Sequence, residues 1–161
     1  MITLRGTYAE AKIYTDELAE SLCADIPKDV CTLAYFDPFE KGRLRGLAET
    51  FPDLADHLMN IHDNIKDLLI PFRSGLYYTK AMGGSASIKS VLPAMFPDDP
   101  ELNYSTLNLI HNGGDVMNAF PTLHEKSPEE IAETRAALLA YCRLDTLAMV
   151  RILERLYTII I

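Results

Sequence analysis

The sequence predicts a helix-rich α/β fold with very few strands, and three observations support this class. Residues 30–36 form a short apolar stretch rich in β-formers, which predicts a buried strand. Apolar side chains recur at helical spacing through most of the remaining chain, and the longest such stretch runs over residues 127–157. A length of 161 residues with 48% hydrophobic and 24% charged residues is typical of a soluble globular protein, so a single domain over residues 1–161 is expected.

In the first half of the chain, we expect a helix, the strand and then two further helical segments. The first helix covers about residues 8–24, and the strand follows at residues 30–36. The strand stops at Asp37-Pro38, a cap and first-turn signal that predicts a helix over residues 38–50. A further helical segment is expected over residues 52–71, and Pro71 ends it. The side chains of the helix at 38–50 that are expected to face inward are Phe39, Leu44, Leu47 and Ala48.

The second half is expected to be helices joined by loops. Residues 75–78, Gly-Leu-Tyr-Tyr, predict a short strand or an extended lead. Ser87 is placed to cap a short helix. Residues 112–115, Asn-Gly-Gly-Asp, predict a turn that opens a short helix through Phe120.

The C-terminal helix carries one polar residue in its apolar stripe. Ser127 and Glu130 have the spacing of a capping box at its start. Asp145 lies in the stripe, where a carboxylate needs a salt bridge, a hydrogen bond or a metal ion, because an unpaired buried charge is costly. Tyr141 lies four residues earlier, so its hydroxyl can project from the same side. The alternative is an aspartate at the edge of the stripe, bonded to neighbouring backbone. The stripe consists of Leu138, Cys142, Asp145, Met149, Ile152 and Leu156.

Composition and charge restrict the classes of function. Three cysteines without CxxC spacing predict reduced thiols and a cytoplasmic location rather than disulfides or a zinc site. No apolar run approaches the roughly 20 residues of a membrane helix, so no membrane partner is expected. The net charge of −8 argues against a broad basic surface for nucleic acid, while leaving room for a local channel with metal ions at its base.

Two segments resemble motifs of the DnaQ-like 3′–5′ exonucleases of the tyrosine type. Residues 33–41, Leu-Ala-Tyr-Phe-Asp-Pro-Phe-Glu-Lys, resemble the second motif, and residues 141–145, Tyr-Cys-Arg-Leu-Asp, resemble the third. Over about residues 15–157 the chain looks like an uncharacterised bacterial domain family assigned to that ribonuclease-H-like superfamily. The Ser-Ile-Lys-Ser-Val-Leu-Pro block at residues 87–93 is the most specific part of this resemblance.

The resemblance implies a site in which acids bind two divalent metal ions, Mg²⁺ or Mn²⁺, at the 3′ end of single-stranded DNA or RNA. Glu40 matches the acid of the second motif and Asp145 the acid of the third, which makes them the implied metal ligands. Tyr141 matches the tyrosine that orients the attacking water. The spacing from Asp37 to Glu40 also suits a capping box, which is the structural alternative for Glu40. Three cations could contact the nucleic-acid backbone, although a solvated helix face explains them equally well: Lys41, Arg43 and Lys89.

Two departures from the superfamily pattern lower the expected activity. Phe36 stands where the wider superfamily often has asparagine. The first motif, a strand bearing Asp-x-Glu, is absent ahead of Glu40, and the one Asp-x-Glu, at residues 99–101, lies in a proline-rich loop between the other motifs. We therefore expect a partial ribonuclease-H-like fold without its opening strands, the C-terminal portion of an exonuclease-like domain cut artificially or by truncation of its gene. Little or no nuclease activity is expected of this chain alone, because ligand number and charge set the affinity for hard cations.

The alternative function is a non-catalytic protein-interaction domain. A fold that lacks strands leaves a sheet edge unpaired, and such edges attract partners. The chain ends in the apolar run Tyr-Thr-Ile-Ile-Ile at residues 157–161. A homodimer through the strand edge or through this tail is therefore expected.

Overall fold

The computed structural model describes residues 16–160, which divide between Leu68 and Leu69 into two compact units. Their helix-rich content and a parallel pair of strands confirm the predicted helix-rich α/β class. The ribonuclease-H-like fold itself stays a prediction. None of the helices within residues 16–160 is both long and apolar enough to cross a lipid bilayer.

Over residues 16–68, the first unit contains a two-stranded parallel sheet and three helices. Its elements are α1 (residues 16–25), β1 (Thr32–Ala34), α2 (Pro38–Thr50), a 3₁₀ turn (Pro52–Leu54), α3 (Ala55–Asp63) and β2 (Ile65–Asp67). Thr32 pairs with Ile65 and Ala34 with Asp67. Parallel strands need a long crossover connection, and α2 and α3 provide it. The core of the unit consists of Ala19, Ala34, Leu44, Ala48, Leu58, Ile61 and Ile65.

The structure confirms part of the predicted first half and corrects the rest. The helix over residues 38–50 is confirmed to the residue as α2, and the strand is confirmed but shorter, at Thr32–Ala34. Residues 8–15 of the expected first helix lie outside the described residues. The prediction that Phe39 faces inward is wrong, because 51% of this residue is exposed.

The single helical segment expected over residues 52–71 is also wrong. The structure has a 3₁₀ turn, α3 and then β2 in its place, and Pro71 lies in the first turn of the next helix. The change from helix to strand occurs at Asn64, whose side-chain amide donates to the carbonyl of Asn60. The apolar residues at 61, 65, 68 and 69 imitate a helical period, and a strand of three residues is too short to show an alternating pattern.

The second unit consists of helices joined by 3₁₀ turns and loops. Its helices are α4 (Ile70–Arg73), α5 (Ile88–Met95), α6 (Gly113–Ala119) and α7 (Pro128–Ile160). Residues 75–78 form no strand and instead lead from a turn into the following 3₁₀ segment. Gly83 and Gly84 both have left-handed backbone conformations, at φ +61° and +81°, which glycine adopts without steric cost.

Two of the four predicted helix caps are confirmed in full, while Asp37 lies at the N-cap of α2 without a side-chain capping bond. Asn112 and Asp115 form a reciprocal capping box at the start of α6. At the start of α7, the amide of Ser127 donates to the Glu130 carboxylate at 2.9 Å, and the amide of Glu130 donates to the Ser127 hydroxyl at 3.3 Å. Ser87 lies at the N-cap of α5 as expected, but its side chain makes no capping hydrogen bond.

The buried face of α7 differs from the predicted stripe at three positions. Cys142 is exposed and Asp145 and Met149 are partly buried, whereas the residues just before them, Tyr141, Leu144 and Ala148, are buried. The buried stripe therefore lies one residue earlier than predicted over these turns. The buried residues of α7 are Thr134, Leu138, Tyr141, Leu144, Ala148, Ile152 and Leu156.

Candidate functional site

Glu40 lies in the first turn of α2, directly after the end of β1. The Asp37 side chain makes no capping hydrogen bond and instead forms a salt bridge with Lys41, with 2.6 Å between carboxylate oxygen and Nζ. A capping box requires a hydrogen bond to the side chain of the N-cap residue, and Asp37 accepts none. Asp37 and Glu40 therefore do not form the reciprocal capping box that is the structural alternative for Glu40. Glu40 is partly buried, on the wall of an apolar cavity of about 280 Å³ in the first unit.

The two cations predicted near Glu40 both have partners within the first unit. Lys41 belongs to the salt bridge with Asp37. The guanidinium of Arg43 lies over the Phe39 ring, 5.1 Å from its centroid, which is a cation–π contact. The segment after β1 thus presents a half-exposed aromatic ring, a carboxylate and two cations within one turn and a half of helix.

The backbone immediately before this turn is strained. Phe36 has φ +77°, a left-handed conformation that is costly for a bulky side chain, and 49% of the residue is exposed. Its amide donates to the Asp67 carboxylate at 2.9 Å, which holds the end of β1 to the end of β2. Burial raises the pKa of Tyr35 far above its usual value, and the Asp67 charge raises it further. Strain of this kind persists only where neighbouring contacts impose it.

In the second unit, Asp145 is held by a tyrosine that the sequence did not point to. The Tyr104 hydroxyl donates to Asp145 Oδ1 at 2.7 Å, and the carboxylate is partly buried. Tyr141, one turn earlier on α7, is 9% exposed, and its ring lies 6.0 Å from the Tyr104 ring between centroids. Asp145 is therefore hydrogen-bonded to a side chain. The alternative from the sequence was a bond to neighbouring backbone.

The hydroxyl of Tyr141 is protonated over the whole physiological range. Burial raises its pKa to about 12, and the Asp145 carboxylate contributes to the increase. A neutral hydroxyl can both donate and accept a hydrogen bond. Tyr141 can therefore orient a polar ligand without contributing charge of its own.

Lys89 lies in the first turn of α5 and reaches the same cluster. Its Nζ donates to the carbonyl oxygen of His111 and lies over the Tyr104 ring, 5.6 Å from the centroid. Tyr104 therefore contacts Lys89 on its face and Asp145 through its hydroxyl. We call Lys89, Tyr104, Tyr141 and Asp145 the tyrosine cluster.

The structure brings together three of the predicted site residues in the second unit, namely Lys89, Tyr141 and Asp145. Glu40 belongs to the first unit, so its convergence with Asp145 stays a prediction. Tyr104, the central member of the tyrosine cluster, lies 41 residues before Asp145. No spacing rule connects positions so far apart, and only the fold reveals their contact.

The side chains of His57 and His62, in the first unit, bond to other protein groups. His57 Nε2 bonds the Ile26 carbonyl at 2.8 Å, while His62 bonds Arg45 and Asp63. Within residues 16–160 no group of three histidine, cysteine, aspartate or glutamate side chains is placed to hold a metal ion. Carboxylate oxygens, such as those of Glu40 and of Asp145, are the donors that Mg²⁺ and Mn²⁺ prefer.

Comparison with known proteins assigns the chain to a family. A family model described as Domain of unknown function (DUF2779) matches residues 7–87, half of the chain, so the chain belongs to that family. The match includes Glu40, Lys41 and Arg43 and ends before Lys89. No curated protein and no solved structure matches the chain.

Proposed function

We propose that this chain is a metal-dependent 3′–5′ exonuclease-like domain that acts on the 3′ end of single-stranded DNA or RNA. The observation that carries the proposal is the environment of Asp145. A partly buried carboxylate on α7 receives the Tyr104 hydroxyl at 2.7 Å and follows the buried Tyr141 by one helical turn. A carboxylate and a neutral tyrosine hydroxyl on one helix face are the two groups needed to hold and orient a hydrolytic water.

The resemblance of residues 33–41 and 141–145 to exonuclease motifs supports the same assignment. Glu40 and Asp145 would hold Mg²⁺ or Mn²⁺, since hard cations bind carboxylate oxygens. When bound, such an ion supplies an acidified water and stabilises charge on the reacting phosphate. Glu40 lies where α/β proteins commonly expose functional side chains, just beyond the carboxyl end of a parallel strand.

The chain's own residues then have distinct tasks. The bond from Tyr104 fixes the orientation of the Asp145 carboxylate and leaves lone pairs on both oxygens for other ligands. Tyr141, whose hydroxyl is neutral at physiological pH, orients the attacking water through a hydrogen bond. Lys89, exposed at the start of α5, supplies positive charge toward a phosphate.

We expect weak activity from these residues alone. The 161 residues contain Asp-x-Glu only at residues 99–101, in a loop and a 3₁₀ turn, so Glu40 and Asp145 are the two acids assigned to metal. Two carboxylates bind hard cations weakly, because affinity rises with the number of charged ligands.

The assay is Mn²⁺-dependent release of mononucleotides from labelled single-stranded DNA and RNA. The complete product of the gene and the 161-residue chain are tested in parallel. Asp145→Asn should lower the activity by at least about 100-fold, the loss typical of removing a charged group from the reacting centre. Glu133→Gln is the matched control, because Glu133 is an exposed carboxylate on the same helix. Equal activity of the two variants would remove Asp145 from the mechanism.

The alternative is a non-catalytic interaction domain that forms homodimers. Exposed apolar side chains on the second unit favour it, with 66% of Phe120 and 60% of Leu139 exposed beside a cavity of about 350 Å³. The nuclease assay separates the two functions, since an interaction domain releases no mononucleotide from either substrate.

A further inference from the structure

We propose that the second unit contains a pocket for a nucleoside monophosphate. The pocket is a cavity of about 300 Å³ between the start of α5 and the 3₁₀ turns that follow it. This volume is at the lower end of the ~300–1,000 Å³ that small-molecule sites occupy. The inference rests on the proposed function, because it names the group that this site would hold once one nucleotide is released. The side chains that carry the argument are Lys89, Phe96, Asp99, Asn103, Tyr104 and Ser105.

The cation of the pocket is Lys89. Its ammonium group has three N–H donors, and the bond to the His111 carbonyl uses one of them. Lys89 is exposed, and its ammonium group lies over the Tyr104 ring. A phosphate group is an anion that such an exposed ammonium binds.

Aromatic rings on the wall fit the base of a nucleotide. Phe96 and Tyr104 both line the cavity and are partly buried. Any of the nucleobases can stack on an aromatic ring, because each has a flat π-face. The pocket therefore provides surface for a flat apolar group next to a cation for an anionic one.

The remaining polar groups supply hydrogen bonds for a base or sugar. Asn103 Oδ1 accepts from the amide and the hydroxyl of Ser105, which fixes the loop backbone at this wall. Asp99 Oδ1 accepts from the Glu101 amide at 3.0 Å, and a carboxylate has further lone pairs for an exocyclic amino group. The negative charge of Asp99 repels phosphate, which favours one orientation of the nucleotide, with its phosphate toward Lys89.

Tyr104 connects this pocket to Asp145. Its ring forms part of the cavity wall, while its hydroxyl donates to the Asp145 carboxylate. A nucleotide in the pocket would lie against the residue that orients the proposed metal ligand. The pocket and the candidate acid therefore belong to one site within the second unit.

Calorimetric titration of the 161-residue chain with adenosine 5′-monophosphate, without divalent metal, tests the proposal. Adenosine and ribose 5-phosphate are the comparison ligands, and each should bind at least about tenfold more weakly than the complete nucleotide. Lys89→Met should weaken the nucleotide by about tenfold and leave adenosine unchanged, while Lys89→Arg should keep most of the affinity. Lys80→Met, at another exposed lysine of the second unit, is the matched control and should change nothing.

Amide chemical shifts provide a second measurement that does not depend on any variant. The nucleotide should shift the resonances of residues 99–105 and of Lys89. The proposal is overturned if the nucleotide causes no saturable shifts there, if adenosine binds as tightly as its monophosphate, or if Lys80→Met weakens binding as much as Lys89→Met.

Failure of this inference can be told apart from failure of the proposed function. Nucleotide binding needs neither metal nor hydrolysis. A chain that binds the monophosphate while Asp145→Asn leaves the nuclease assay unchanged keeps the pocket and loses the exonuclease. A metal-dependent nuclease that does not bind the monophosphate keeps the exonuclease and loses the pocket.

Discussion

At the scale of single residues, the carboxylate of Asp145 depends on a hydroxyl 41 positions earlier in the chain. The apolar spacing of α7 was enough to identify Asp145 as a polar residue in need of a partner, and Tyr141 follows from its place one turn away. The partner itself, Tyr104, lies in an irregular segment between 3₁₀ turns. Such segments have no periodicity, so their contacts cannot be predicted from spacing.

A double-mutant cycle measures the strength of this contact. Tyr104→Phe removes a hydrogen bond to a partly buried charge, so the free energy of unfolding should fall by roughly 1–2 kcal/mol. In the background of Asp145→Asn the same change should cost about half as much or less, because the charge is gone. Urea unfolding of the four proteins provides the numbers. Tyr157→Phe, at an exposed tyrosine of α7, serves as the control, and equal costs of Tyr104→Phe in both backgrounds would contradict the contact.

One contact in the first unit, from the Phe36 amide to the Asp67 carboxylate, was not predicted. Phe36 departs from the superfamily pattern, which the sequence shows. Its left-handed backbone conformation cannot be predicted from the sequence, because glycine is the residue that usually indicates such a conformation. Its amide needs the Asp67 carboxylate, and that contact depends on the pairing of β1 with β2. Because β2 was predicted as helix, the contact could not be foreseen.

At the scale of elements, the predictable parts are those with local chemical signals. Pro38 after Asp37 located the start of α2, and the capping boxes located the starts of α6 and α7. The strand β2 has three residues, of which Ile65 is buried and Lys66 is exposed. Its identity as a strand comes from tertiary pairing with β1 rather than from local propensity.

The cap of α7 should contribute measurable stability. Ser127→Ala removes the acceptor for the Glu130 amide, so the free energy of unfolding should fall by about 1 kcal/mol, while Ser127→Asp should lose only a few tenths. The Ser127 amide and hydroxyl lower the pKa of the Glu130 carboxyl below its ordinary 4.5.

The pH dependence of this stability follows from that lowered pKa. A carboxyl with a lower pKa in the folded state adds stability above the unfolded value of 4.5, and this stability is lost as the pH falls through the folded pKa. Thermal unfolding from neutral to acidic pH should therefore show the difference between wild type and Glu130→Gln shrinking on acidification, since protonation removes the charge that the Ser127 amide stabilises. A difference that is independent of pH would contradict the bond from the Ser127 amide to the Glu130 carboxylate.

At the scale of the whole molecule, the family match and the tyrosine cluster cover different parts of the chain. The match to the domain of unknown function covers residues 7–87 and includes Glu40, whereas the tyrosine cluster lies entirely after it. The helix-rich α/β class was predictable from composition and periodicity. The division into two units was not, because it depends on which apolar faces pack together.

The central claim is that Asp145, oriented by the Tyr104 hydroxyl, binds a divalent metal ion. Paramagnetic broadening of amide resonances by Mn²⁺ tests this most directly, since broadening is detectable even when binding is weak. We predict that substoichiometric Mn²⁺ broadens the amide resonances next to Asp145, that Asp145→Asn removes this effect, and that Glu133→Gln leaves it in place. No broadening next to Asp145, or broadening there that survives Asp145→Asn, would contradict the claim.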